Sequence, residues 1–309
     1  MLSPGAFPRH ALDMKEPSAT AGHDADRSGG WEDQPQPDTM DILYFYKKTK
    51  DDFELRHSLR SVEQHAPWAR KIWIYGDRPD FLTTNTSVAE HVPDSFATEV
   101  LDIQRPVRNT FQMLFLTSLI PELTTEYVWC SDDHFLLKDY PIEDARKVRY
   151  LEDLRTAKRP AQPGLWKAQL WHTHDTLRRL GYAGINYETH TPIYFTKRRV
   201  LTAYCDLRDF VAADRWHGIM GASSILNHAH KHENMTIHSI AEEGSRVGWA
   251  GSVRPSYDQV LRDTAGKTFL FLNDENLTDA TRRFLMTRFP DRSRFEADET
   301  ASTETAASA

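Results

Sequence analysis

Cysteine is scarce in this chain: Cys130 and Cys205 are the two among 309 residues. They share no CxxC spacing and have no further soft ligands near them in sequence, which argues against a disulfide scaffold and against a structural zinc site. Long hydrophobic runs are missing as well. The longest apolar stretches, Met113 to Leu116 and Thr268 to Leu272, fall far short of the roughly 20 residues that cross a bilayer. No basic stripe is present, and the net charge of -7 speaks against general nucleic-acid binding. The N-terminal residues MLSPGAFPRHALDMKEPS carry neither a basic start nor an apolar core of the secretory kind, so the expected location is cytoplasmic.

What the chain does have is enough apolar residue, 39%, to build a sizeable core. Residues 1 to 38 are rich in Pro, Gly, Ser, Asp and Ala and lack periodic apolar positions, so they are expected to form a disordered leader, with Met14 and Met40 as alternative starts. The small polar run from Ala297 to 309 is expected to be a disordered tail. A single catalytic domain is expected over 39–296.

Within it, β-rich runs alternate with helical patterns. The runs are Asp41 to Tyr46, Lys71 to Asp77, Glu99 to Ile103, Tyr127 to Cys130 and Thr268 to Asp274. Leu55, Leu59 and Val62 recur at helical spacing before Pro67, and Phe111, Leu114, Phe115 and Leu119 do so before Pro121. This alternation predicts an α/β fold with a mostly parallel sheet and helices on both faces, of the Rossmann-like or GT-A-like kind. The less regular stretch 140–188, with Trp166, Trp171 and several His, is expected to be a variable insertion or lid. The two Trp are read as core or lid packing.

Ligands in open α/β sheets bind beyond the carboxyl ends of strands. Two acidic segments sit where such ends are predicted: Asp132 and Asp133 in YVWCSDDHFLL, and Asn273 and Asp274 in FLFLNDEN. An isolated Asp after a strand is ordinarily an Asx-turn or a helix cap. An adjacent pair between two apolar runs is costlier, because the carboxylates repel each other unless a cation compensates them. Hard oxygen ligands of this kind suit Mg²⁺ or Mn²⁺, and those ions suit a diphosphate.

The segments FELRHSLRSVEQHAPWARKIWIYGDRPDFL and RNTFQMLFLTSLIPELTTEYVWCSDDHFLL, then HTPIYFTKRRVL, then FLFLNDENLTDATRRFLMTRFPDRSRFE, resemble in that order the conserved regions of the Stealth family of capsule-polysaccharide transferases. The resemblance implies transfer of a hexose 1-phosphate from a nucleotide sugar to a hydroxyl on a glycan or other acceptor. It further implies metal ligation by Asp132, Asp133 and Asp274, and catalytic roles for His190, Asp133, Asp274 and Arg215. Donor or acceptor contacts are expected at Asp41, Asp77, Asn109 and Asn273, and also at Arg60. That Arg shares a helix face with Arg56 and is of the type that grips phosphate, although exposed charges four apart are ordinarily a solvated surface. The chain departs from the pattern at Lys48, where a second acid is expected, at Gln112 in TFQM, and at His217 beside Arg215. Because the acid pair serves either bond cleavage, a GT-A-like glycosyltransferase that moves the sugar alone is the alternative. A non-catalytic nucleotide-sugar binder is a third possibility, and a transferase acting on hydroxylated bases in modified DNA a fourth, which the acidic net charge disfavours.

Overall fold

The computed structural model describes residues 38–212 and 214–297. The expected leader and tail therefore lie outside the described residues, apart from Asp38 and Ala297.

Strand β1 (Met40–Tyr46) starts the core and helix α1 (Phe53–His65) follows it, burying Leu55, Leu59 and Val62 as the spacing predicts. Next come β2 (Ala69–Gly76), β3 (Ala89–Pro93), α2 (Thr110–Ser118) and β4 (Glu126–Ser131). Side elements β5 (His134–Leu136), α3 (Ile142–Ala145), β6 (Val148–Tyr150), β7 (Glu152–Asp153), α4 (Leu165–Arg179) and β8 (Ile185–Asn186) precede β9 (Ile193–Thr196). Helices α5 (Lys197–Leu207) and α6 (Gly221–His232) follow, then β10 (Ile237–Ser239), α7 (Ile240–Glu243), β11 (Arg246–Val247), α8 (Tyr257–Thr264), β12 (Phe269–Phe271) and α9 (Asp279–Arg288).

The central sheet has the order β3-β2-β1-β4-β9, with the first four strands parallel and β9 antiparallel to β4. A mixed α/β architecture with a mostly parallel sheet is thus what the chain builds. Strands β1, β2 and β4 are buried almost throughout, as strands covered on both faces must be. Their carboxyl ends share one pole of the sheet.

Two expectations are corrected. Residues 99–103 are not a strand but a series of turns, with Ala97 at φ 57° and Asp102 at φ 51° and Val100 89% exposed. The strand in that region is β3, where Ala89 and Val92 supply the buried positions. The 268–274 run, in turn, joins no central sheet: β12 is the middle strand of a separate three-stranded sheet, β11-β12-β5, antiparallel to β5. Within the stretch 140–188, Leu177, Tyr182, Ile185 and Tyr187 are part of the main core. Trp171 is buried beside Leu154, Leu170 and Met220, in line with a packing role.

Among the described residues no helix is long and apolar enough to cross a membrane.

Candidate active site at the carboxyl pole of the sheet

Strand β4 ends at Ser131, so Asp132 and Asp133 project at the pole where the parallel strands finish. The chain then turns at once into β5, whose His134 pairs with Phe271 of β12. One rung further, the Leu272 N–H donates to the Asp133 carbonyl at 3.1 Å. The two acidic segments are thereby zipped side by side. Asn273 does what an Asx-turn residue does: its side-chain oxygen accepts from the Glu275 and Asn276 amides, both at 2.9 Å, and its amide reaches the Gly251 carbonyl. That turn holds Asp274 out in solvent next to the Asp132–Asp133 pair.

A fourth acid joins them. Glu54 lies in the first turn of α1, and burial together with the charges of Asp132 and Asp274 pushes its carboxyl up to about 7. Burial pushes Asp132 up to about 6, with the charge of Asp274 adding to it. Asp133 is raised well above the usual carboxylate range by burial and by the charges of Asp132 and Glu54. Its side chain keeps 29% of its surface open at the rim, yet its Oδ1 is buried and accepts no hydrogen bond. Carboxylate oxygens suit a hard divalent cation, which would supply positive charge and a partner for Asp133 Oδ1. No three of these acids place a ligand atom each within 4.8 Å of one another, so a cation would have to draw them together.

A basic and aromatic wall adjoins the acids. The His134 imidazole accepts from the Ser131 amide through Nδ1 at 3.3 Å, which leaves the proton on Nε2, 3.6 Å from Asp133 Oδ1. Burial, helped by the nearby charges of His190 and Arg246, holds this ring down to about 3, so it is neutral at physiological pH. His190 sits at φ 53°, a left-handed conformation unusual for a side chain larger than Gly, between Thr189 and Thr191, whose buried hydroxyls bond at 2.8 Å. Its ring stacks on Phe271 at 5.0 Å and tilts against Trp166 at 5.5 Å. Burial and the Arg246 charge lower it to about 4. The Arg246 guanidinium lies 4.9 Å from the Phe271 ring centre and donates to the Thr189 carbonyl at 2.6 Å. Gly248 makes this wall possible: a Cβ there would come within 1.9 Å of the Phe271 ring.

The structure thus brings together Asp132, Asp133, Asp274 and Asn273, and links His190 to them through Phe271 and His134. Other predicted site residues are engaged elsewhere. Asp41 stands at the amino end of β1, the opposite pole, fully buried, where it accepts from Arg70 at 2.8 and 2.7 Å, from Trp73 at 2.8 Å and from the Thr124 amide. Arg60 grips Glu296 at 2.8 and 2.9 Å, alongside Arg56. Asn109 caps α2, accepting from the Phe111 and Gln112 amides and donating to the Ile219 carbonyl. Arg215 is exposed, with its guanidinium over Trp216 and its carbonyl bonded by Gln169. Asp77 follows β2 at the active pole and accepts the Lys48 amide at 2.8 Å, while the Lys48 ammonium pairs with Asp80.

Glu54, Arg246 and Phe271 were not singled out from the sequence. Glu54 reads there as an ordinary acid in a helix's first turn, where the helix dipole favours it anyway. Arg246 belongs to a two-residue strand too short for any periodicity to show.

A solved structure of an active-site mutant of LgtC aligns with a TM-score of 0.45 at 13% identity, over 82% of this chain and 98% of that one. No protein-family model matches the chain, and no curated protein matches it either.

Proposed function

We propose that the chain is a divalent-cation-dependent transferase that takes a nucleotide sugar as donor and a hydroxyl, on a glycan or similar molecule, as acceptor. The observation that carries this is the buried, unpartnered Oδ1 of Asp133 amid Asp132, Asp274 and Glu54 at the carboxyl pole of a parallel sheet. Asp132, Asp133 and Asp274 would hold Mg²⁺ or Mn²⁺, which when bound neutralises the donor diphosphate and its leaving charge. Such an arrangement is GT-A-like in its logic.

In the first reading the acceptor oxygen attacks the anomeric carbon, the bond from that carbon to the β-phosphate oxygen breaks, and a nucleoside diphosphate leaves. Glu54, the acid of the group not assigned to the cation, would take the acceptor's proton.

A second reading is favoured by one observation, the placement of His190 and Arg246 around Phe271 and next to His134, whose ring abuts Asp133. There the acceptor attacks the β-phosphorus and sugar 1-phosphate is transferred. The neutral His190 and the fixed guanidinium would steady the phosphoryl oxygens. This is the chemistry that the Stealth-like motifs imply, and it rests on them and on that placement. Cytoplasmic location stays part of the proposal.

The experiment uses a donor labelled in its β-phosphate. Label leaving with a nucleoside diphosphate establishes sugar transfer, whereas label in the acceptor product with a nucleoside monophosphate released establishes sugar-1-phosphate transfer. In that second case His190→Ala lowers kcat severely. If a panel of nucleotide sugars with Mn²⁺ gives neither turnover nor a rise in melting temperature, the proposal fails.

A further inference from the structure

Helices α5 and α6 run side by side, tied near one end by Glu233, which accepts from Arg198 at 2.9 Å and Arg199 at 2.8 Å. Toward the other end of α5, Asp206 faces α6. There the His228 Nε2 lies 2.8 Å from the Asp206 Oδ2. His232 follows His228 by one helical turn, so both rings project from the same face of α6, with centres 4.5 Å apart. One ligand atom from each of Asp206, His228 and His232 lies within 4.8 Å of the others.

An ordinary carboxylate–imidazole pair accounts for His228. It does not account for a second imidazole converging on the same point. Zinc–ligand bonds of about 2.0–2.1 Å set neighbouring tetrahedral ligands roughly 3.3 Å apart. Against that spacing the Asp206–His228 pair, at 2.8 Å, is somewhat closer, and all three ligand atoms lie within 4.8 Å of one another. We propose that Asp206, His228 and His232 form a second cation site, for Zn²⁺ or a chemically similar ion, that clips α5 to α6.

Two imidazoles and one carboxylate suit Zn²⁺, while the all-carboxylate cluster at the sheet pole suits Mg²⁺ or Mn²⁺, so the two sites sort metals by ligand softness. On binding, the His228 proton moves from Nε2 to Nδ1, and Nε2 turns its lone pair to the ion. Three protein ligands leave a fourth position for water. The scarcity of cysteine pointed away from a structural zinc site, but this cluster needs none. Lys231 is the charged neighbour to weigh, and its ammonium is drawn aside, 4.4 Å from the Tyr182 ring centre and within 3.4 Å of the Leu180 carbonyl.

A clip here would be felt toward the active pole. Helix α6 also holds the segment leading to His190, with Ser223 accepting from the Tyr187 amide at 3.1 Å and Asn227 bracketing Ile185 on both its amide and its carbonyl.

The test loads the full chain with Zn²⁺, removes excess by gel filtration and measures retained metal, alongside His232→Ala, Asp133→Asn and His217→Ala. His232 and His217 are exposed, so their replacement leaves the fold intact. The expected result is one zinc more per chain in wild type than in His232→Ala, with affinity falling more than about tenfold in that variant. Asp133→Asn and His217→Ala keep the extra ion. Co²⁺ in place of Zn²⁺ gives the intense visible bands of a tetrahedral imidazole site, absent in His232→Ala. Equal zinc retention in wild type and His232→Ala, or a Co²⁺ spectrum unchanged by that substitution, overturns the proposal.

Discussion

The Leu272 amide donates to the Asp133 carbonyl at 3.1 Å, one rung beyond the pairing of Phe271 with His134. This backbone contact sets a segment from the end of the central sheet beside a turn far along the chain, close enough for their acids to interact. The acids repel one another, so their proximity costs stability that the ladder and the surrounding core must supply. Such costly arrangements persist where a ligand needs them.

Asp133→Asn and Asp274→Asn are each expected to lower turnover at least about 100-fold while leaving the fold intact. Without metal, Asp133→Asn raises the melting temperature, because it removes a carboxyl whose ionisation is opposed by burial and by the neighbouring acids. Excess chelator stops the wild-type reaction. Near-normal turnover in both variants, measured beside their melting curves, removes the acids from the mechanism.

The pH dependence has a defined sign. Glu54 and Asp132 have folded-state values raised to about 7 and about 6, so their contribution to stability is present in acid and is lost as pH rises through those values. His57 and His134, held down to about 4 and about 3 by burial, act oppositely and cost stability as pH falls below the ordinary histidine value. A cation binds the ionised carboxyls, so the gain in melting temperature from Mn²⁺ should grow between about pH 5 and pH 7.5. In Glu54→Gln this growth is blunted. A metal-induced gain that stays flat across that range disproves the coupling.

Arg70→Ala strips a buried carboxylate of its ion-pair partner and should destabilise the protein by about 2–4 kcal/mol in chemical unfolding. The remaining bonds to Trp73 and Thr124 keep the loss from being larger. KM for the donor stays unchanged in the folded fraction, since Asp41 lies at the pole away from the acids. A selective rise in KM would return Asp41 to the binding site.

Gly248→Ala forces a methyl into the Phe271 ring, which must shift and carry the stacked His190 with it. Overpacking of this kind costs about 1–3 kcal/mol, and turnover should fall further than the loss of folded protein explains. Unaltered kcat would show that the ring's position is irrelevant to the chemistry.

The acid pair and the Asn–Asp turn were legible in the sequence because a charged residue bracketed by apolar runs is conspicuous, and the alternation of patterns was enough to indicate a parallel sheet. Asp41 shows a limit that the same logic contained: it begins its strand, and the beginning of a strand points away from the ligand pole. Arg60 matched a phosphate-binding residue in kind, but its partner, Glu296, arrives from the far end of the domain, which no local pattern reveals. The Glu99–Ile103 run looked like a strand because its apolar residues are adjacent. In the fold Val100 and Leu101 are exposed, Ile103 packs only partly against the core, and the Ala89–Pro93 run takes the sheet edge instead.

Glu296 is buried, and its carboxylate is shared by Arg56 and Arg60 on the helix that presents Glu54. Burial alone would raise it, but the Arg60 and Ser293 bonds outweigh that and hold it below the usual range. Neighbouring backbone bonds, from Thr83 to Phe295 and from Ala297 to Phe81, stitch the same segment to the loop after β2. An exopeptidase that trimmed the chain past Glu296 would leave two guanidiniums facing each other without a counter-charge and would loosen the seating of α1. Fusion tags for this protein therefore belong beyond Ala297, and a preparation nicked just upstream of it should lose catalytic competence although none of its proposed catalytic residues has been removed.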